Sequence, residues 1–290
     1  MGIRLKFNLV MLFTFAIGIT AAGFISHKML QDNAREEILH RAGILMEAAL
    51  AIRHYTVNEI RPLLADRLKE EFLPQTVPAY AATRNVARLR ERYPEYSYKE
   101  ATLNPTNPSS RATDWEASIV EHFRNRREVR ELVGERPTAT GRSLYMARPI
   151  EIKNIGCLTC HGTVDNAPTT MVARYGASNG FGWQINEVVG AQIVSVPMSV
   201  PLQRAEETFR TFMISLIGVF LAIIVILNIM LHIIVVRPVQ RMSAIAHEVS
   251  LGNLDAPDCT ASGKDEIASL GQSFNRMRRS MINALKMLDE

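Results

Sequence analysis

"ARPIEIKNIGCLTCHG", residues 147–162, joins two patterns whose meeting decides how the chain is read. The first half closes an alternating segment, "SLYMARPIEI", residues 143–152, with Leu144, Met146 and Ile150 on one face. Alternation of this kind is the mark of a half-buried β-strand, and Pro149 places it at a sheet edge. The second half holds Cys157 and Cys160 two residues apart, with His161 directly behind.

Three chemistries use such a pair. A structural zinc site needs four donors. The other cysteine in the chain, Cys259, falls beyond a second apolar block and therefore across a membrane. A redox CxxC opens a helix after a strand in a thioredoxin-like unit. Here Gly156 and Gly162 bracket the motif and no βαβ pattern surrounds it. Covalent haem remains: two close thiols form thioethers to one porphyrin, and the adjacent histidine becomes an axial ligand. Cys157 and Cys160 are then the anchors of a haem c, and His161 the iron ligand on that side.

The opposite axial position is open among several residues. A thiolate is excluded by counting. The histidines are His27, His40, His54 and His122; the methionines include Met46, Met146 and Met171. His54, in "AALAIRHYTVNEIRPLL", residues 48–64, has apolar neighbours in Ala51, Ile52, Tyr55 and Leu63. It is the first choice for a sixth ligand, against an ordinary helix-surface histidine. Water or an open site is the other reading. Tyr145, Phe181 and Trp183 are candidate haem-pocket side chains, against ordinary core.

The chain has 290 residues and a small net charge of +4. Residues 7–25 and 212–236 are each apolar enough and long enough to span a bilayer, which takes about 20 residues. A buried core helix would be shorter than the second block. A cleaved signal peptide is the alternative for the first, but its apolar stretch exceeds the usual signal core. Arg4 and Lys6 flank one span, and Arg237 and Arg241 follow the other. The positive-inside rule then puts both ends in the cytoplasm of a bacterial inner membrane, with lipid around the spans and residues 26–210 periplasmic. The short mixed run at residues 124–127 gives no basis for nucleic-acid binding.

Between the spans, residues 26–72 read as a long helix interrupted at Pro62. Pro74 and Pro78 form a turn before another helix, and "LNPTNPSS", residues 103–110, is a loop. A capped helix starts at Asp114. Trp115, Ile119, Phe123 and Val129 line its face, and Gly134 ends it. "GFGWQINEVVGAQIVSVPM", residues 180–198, reads as a hairpin or two strands. Helices first and strands later imply an α+β fold, with the helices on one face of an antiparallel sheet.

"PQTVPAYAA", "YKEATLNPTNPSSRATDWE", "ARPIEIKNIGCLTCHG" and "YGASNGFGWQINEVVGAQIVSVP" together resemble the c-type haem, PAS-like sensor family of bacterial membrane receptors. The resemblance covers residues 26–205 and implies a PAS-like sheet holding haem through Cys157, Cys160 and His161. After the second span, Val239, Met242, Ala246 and Val249 repeat at coiled-coil spacing. So do Ile267, Leu270, Phe274, Met277, Met281, Ala284 and Leu288. With "DEIASLGQSFNRM" this segment resembles a HAMP domain, which implies a parallel four-helix bundle in a homodimer. Cys259 falls in its connector as a free thiol.

Four segments follow: residues 1–25, a tail and first span; 26–210, the PAS-like sensor; 211–236, the second span; 237–290, the HAMP domain. No catalytic constellation is visible. The expected protein is a non-enzymatic membrane sensor. It turns a redox or small-ligand event at a periplasmic haem into a signal for a cytoplasmic partner such as a histidine kinase, or for an output region of a longer chain. A membrane-anchored electron-carrying cytochrome is the rival, and a chemoreceptor for a small organic molecule the second rival.

Overall fold

The structure is a computed structural model that describes residues 2–139, 141–253, 255–259 and 265–288. It divides into two compact units, residues 27–208 and residues 1–26 with 209–290.

In the first of these, four strands form one antiparallel sheet: β1 (Ser97–Thr102), β2 (Leu132–Thr138), β3 (Gly141–Glu151) and β4 (Val188–Pro197). Their spatial order is β1-β4-β3-β2. The helices are α1 (Ile3–Tyr55), α2 (Pro78–Leu89), α3 (Asp114–Asn125), α4 (Leu158–His161), α5 (Thr169–Tyr175) and α6 (Ser199–Met230). The fold is α+β, as expected, but helices cover both faces of the sheet rather than one. Ile38 and Met46 of α1 and Val86 of α2 pack on Leu144, Val194 and Val196. On the other face, Ile119, Val120 and Phe123 of α3 pack on Ala101, Ala147, Ala191 and Ile193. The small alanines leave room for the Phe123 ring. Val188 to Val194 are all buried, because a strand covered on both sides hides every side chain.

Three sequence expectations change here. Residues 180–198 hold one strand, not two; residues 180–187 are a loop with Asn186 at φ 65°. The capped helix starts at Asp114 with a Thr113–Glu116 capping box, but ends at Asn125, not Gly134. Gly134 sits in β2 opposite Tyr145, whose ring occupies the space a side chain would take. Val129 keeps its apolar contact with the α3 cluster from outside the helix. Pro149 belongs to a central strand, yet β2 pairing ends at Ala147. Beyond it β3 pairs with β4 alone, so the missing N–H of Pro149 falls at a local edge.

In the other unit, α1 and α6 supply two helices long and apolar enough to cross a membrane. Their large side chains, such as Phe13, Phe24, Ile214 and Leu221, are exposed, which a soluble core helix would not tolerate. The helices touch in opposite directions. Arg4 meets His232, Asn8 accepts from Asn228 at 2.8 Å, and Phe15 stacks on Phe220 with ring centroids 4.6 Å apart.

Each long helix widens to a π turn just before an Arg-Pro pair: Thr56–Ile60 before Pro62, and Leu231–Val236 before Pro238. Proline has no N–H and crowds the carbonyl four residues back, so the ladder slips by one residue. The Arg61 and Arg237 N–H groups accordingly bond Thr56 and His232, five residues back.

Two further helices, α7 (Arg237–Ser250) and α8 (Glu266–Leu288), flank a connector. Ile245, Val249, Ala256 and Cys259 form their small core, with Met242 and Phe274 against it. Of the heptad positions expected from sequence, Val239, Leu270, Met277 and Met281 remain exposed in the single chain. The Leu288 side chain, Leu254 and residues 260–264 lie outside the described residues.

Candidate functional site

The CxxCH segment follows β3 as two tight turns. Asn154 starts the first: its Oδ1 accepts from the Gly156 N–H at 2.8 Å, and its carbonyl accepts from Cys157 N–H at 3.0 Å. A 3₁₀ turn (Ile155–Cys157) runs into α4, which carries Cys160 and His161 and stops at Gly162. Gly162 is needed for a close approach, because a Cβ there would meet the Leu158 carbonyl at 2.6 Å. Both thiols are half-buried and unpaired. Burial pushes the Cys160 thiol up, against the opposing charge of Arg61.

His161 is fixed from three sides. Its Nδ1 lies 2.8 Å from the Gly180 carbonyl, which can only accept, so Nδ1 carries the proton. Thr106 Oγ1 lies 3.4 Å from the same nitrogen. The Trp183 ring stacks on the imidazole with centroids 3.9 Å apart and planes 14° apart. Two backbone bonds clasp the segment: Gly182 N–H to the Gly162 carbonyl at 2.7 Å, and Trp183 N–H to the His161 carbonyl at 3.1 Å. Burial lowers the imidazolium pKa, and the Gly180 carbonyl holds back part of that shift. The neutral tautomer therefore presents Nε2 as a lone-pair donor, the form a metal ligand needs.

The donor set fits covalent haem: two thiols on adjoining turns and one oriented imidazole directly after the second. Among the described residues no group of three or more His, Cys, Asp and Glu is placed to hold a metal ion, so a zinc ion would lack its further donors.

The other sequence candidates spread out. Trp183 joins His161, and Phe181 lines a cleft of about 230 Å³ beside it with Asn104, Arg124 and Glu187. Tyr145 packs instead on Trp115, with centroids 5.6 Å apart, and over Gly134. His54 is exposed at the end of α1, its carbonyl accepting from Asn58. His27 lies 3.9 Å from Glu206, His40 is exposed, and His122 sits edge-on to Phe123. Met46 and Met146 are buried in the α1 face of the core, and Met171 is buried in α5.

Sequence reasoning missed Asn104, Thr106 and Gly180. They stand 19 to 57 positions from His161, and no local pattern links them to it. It also missed a buried polar chain across the α1 face. Arg53 of α1 pairs with Glu100 of β1; the Tyr98 hydroxyl donates to Glu100 at 2.8 Å and accepts from Gln192 at 3.2 Å. Burial first, and the Glu100 carboxylate beside it, push the Tyr98 phenol up.

A four-stranded unit, two candidate membrane helices and a two-helix domain after the second of them suit one class, the membrane signalling receptor, and the family matches support it. Residues 31–197 match the Tll0287-like family and residues 230–283 match the HAMP domain. The first match spans more than half of the chain, and the chain belongs to the Tll0287-like family. It is similar to the crystal structure of the cyanobacterial heme-protein Tll0287, with a TM-score of 0.43 and 16% identity over 56% of this chain and 95% of that one. No curated protein matches the chain.

Proposed function

We propose that this chain is a dimeric inner-membrane sensor whose periplasmic domain holds a haem c and whose HAMP bundle passes the haem's state to a cytoplasmic partner such as a histidine kinase. Cys157 and Cys160 would form the thioethers and His161 would ligate iron through Nε2. When bound, the haem would supply a one-electron redox change and a further coordination site, for which His54, a methionine, water or an added gas are the candidates.

One observation carries the reading: an imidazole locked as its Nδ1–H tautomer by the Gly180 carbonyl, directly behind two half-buried thiols. That arrangement is what an axial ligand requires and what a surface histidine does not need. The rest of the chain supports signalling over electron carriage. An electron carrier has no use for α7 and α8, whereas exposed Leu270, Met277 and Met281 suit a bundle with a second copy. Arg53 ties α1 to β1 through a buried pair, so a change in the sensor sheet has a direct mechanical hold on a helix that also contains a span. A packed bundle is bistable, and a small helix shift selects one of its two states.

The experiment is disulfide cross-linking of Met277→Cys in membranes, with the haem oxidised, reduced, and reduced under CO. Cross-links between copies whose yield changes with haem state are expected. Equal yields in all three states would contradict signalling, and no cross-links at all would contradict the dimer. Of the three states, the one that moves the yield separates redox sensing from gas sensing.

A further inference from the structure

We infer that Asn104 and Thr106 are positioning residues that set the reduction potential of the group ligated by His161; this rests on the haem reading above. The lever is the hydrogen bond from His161 Nδ1–H to the Gly180 carbonyl at 2.8 Å. A firm acceptor at Nδ1 makes Nε2 more electron-rich and favours the oxidised metal; a loosened one favours the reduced metal.

The carbonyl is held across the Gly180 Cα, through the peptide that precedes it. Gly180 is buried at φ 85°, and a side chain there would run into Thr106, so the two loops pack backbone on backbone. The Gly180 N–H donates to Asn104 Oδ1 at 3.3 Å. Thr106 Oγ1, 3.4 Å from Nδ1, offers the same proton a second acceptor. Arg111 ties the loops again: Nη2 reaches Asn179 Oδ1 at 3.4 Å and Nη1 the Leu103 carbonyl at 3.5 Å. Trp183, stacked flat on the imidazole, stops the ring from rotating to follow a displaced carbonyl. A shift of the 103–111 loop therefore weakens the bond rather than carrying the histidine along. Asn104 acts only through Gly180.

The test uses the full chain, produced with intact cytochrome c maturation, as wild type, Asn104→Ala, Thr106→Val, Thr106→Ser and Asn85→Ala. Asn85 is an exposed control whose amide bonds its own helix at the Ala81 carbonyl. Covalent pigment is scored after denaturation, the midpoint potential by redox titration, and the iron environment by electron paramagnetic resonance of the oxidised protein. Asn104→Ala and Thr106→Val are expected to keep covalent haem but raise the potential by a tenfold shift in the oxidised-to-reduced ratio, about 59 mV for one electron. Their g-values should move with it. Thr106→Ser should restore the wild-type values and Asn85→Ala should leave them in place. The inference is overturned if both variants carry covalent haem with a potential equal to that of Asn85→Ala, or if Thr106→Ser shifts as far as Thr106→Val. Wild-type chain without covalent pigment would instead remove the haem reading itself, and the inference with it.

Discussion

The loop around Cys157 and Cys160 is fastened by backbone, whereas the connector around Cys259 is fastened by side chains. At the first, Gly182 and Trp183 N–H groups bond the Gly162 and His161 carbonyls, and the Gly180 carbonyl holds the imidazole. At the second, Asn275 of α8 brackets one residue, accepting from the Cys259 N–H at 2.9 Å and donating to its carbonyl at 3.1 Å. Arg278 reaches the Ala256 carbonyl and Asp258. Backbone fastening survives most point substitutions and suits a segment that must hold a ligand still. Side-chain fastening can be made and broken by a small rotation of one helix, which suits a segment that has to switch.

The substitutions that probe this contrast differ in size. The largest effect falls on a deep side-chain tie of the sensor unit, the Arg53–Glu100 pair. Glu100→Ala leaves Arg53 facing the core without its carboxylate, and losing one partner of a buried pair costs about 3–5 kcal/mol. The Arg53 side chain left behind is 24% exposed, so water offsets part of the loss and the cost falls toward the lower end of that range. Thermal unfolding of the detergent-solubilised chain should show a much lower midpoint for the sensor transition. A drop no greater than that of an exposed-pair variant such as Arg88→Ala would mean that this tie matters as little as a surface pair.

Asn275→Ala comes next. It strands the Cys259 N–H and carbonyl in a buried setting, at a cost of about 1–3 kcal/mol. Cys259 is 7% exposed, so its thiol should react slowly with a maleimide in the wild type and much faster in this variant. Unchanged labelling would place the hold on the connector elsewhere. The smallest effect is expected from Asn154→Ala, which removes a side-chain tie at the exposed start of the CxxCH turn. About 0.5–1 kcal/mol is at stake, the range of an ordinary cap. Because backbone bonds remain, labelling of Cys157 and Cys160 in chain made without haem should barely change. A large rise would erase the contrast between the two loops.

Local signals in the sequence carried much of this. Two apolar blocks, the proline turns at residues 74 and 78 and the capped helix start at Asp114 each state a local physical requirement and are met in place. The local shape of the motif was legible, because its spacing puts two thiols on adjoining turns with an imidazole directly behind. Long-range signals were not. Gly134 looked like a helix stop because nothing nearby announces that Tyr145 crosses over it from the paired strand. The stretch at residues 180–198 suggests a hairpin, yet only Gln192 and Ser195 interrupt the apolar run from Val188 to Val196, and that composition reports one strand covered on both faces. Asn104, Thr106 and Gly180 converge on His161 only through the fold, and Arg53 finds Glu100 47 positions away.

The account depends most on iron porphyrin being bound to the two thiols of residues 157 and 160. Chain produced with intact cytochrome c maturation should be extracted with acid acetone and run on a denaturing gel for haem peroxidase activity. Pigment that stays with the polypeptide, and leaves it when Cys157→Ala and Cys160→Ala are combined, is the predicted result. Colourless polypeptide from the unsubstituted chain, with any haem in the acetone phase, would contradict it.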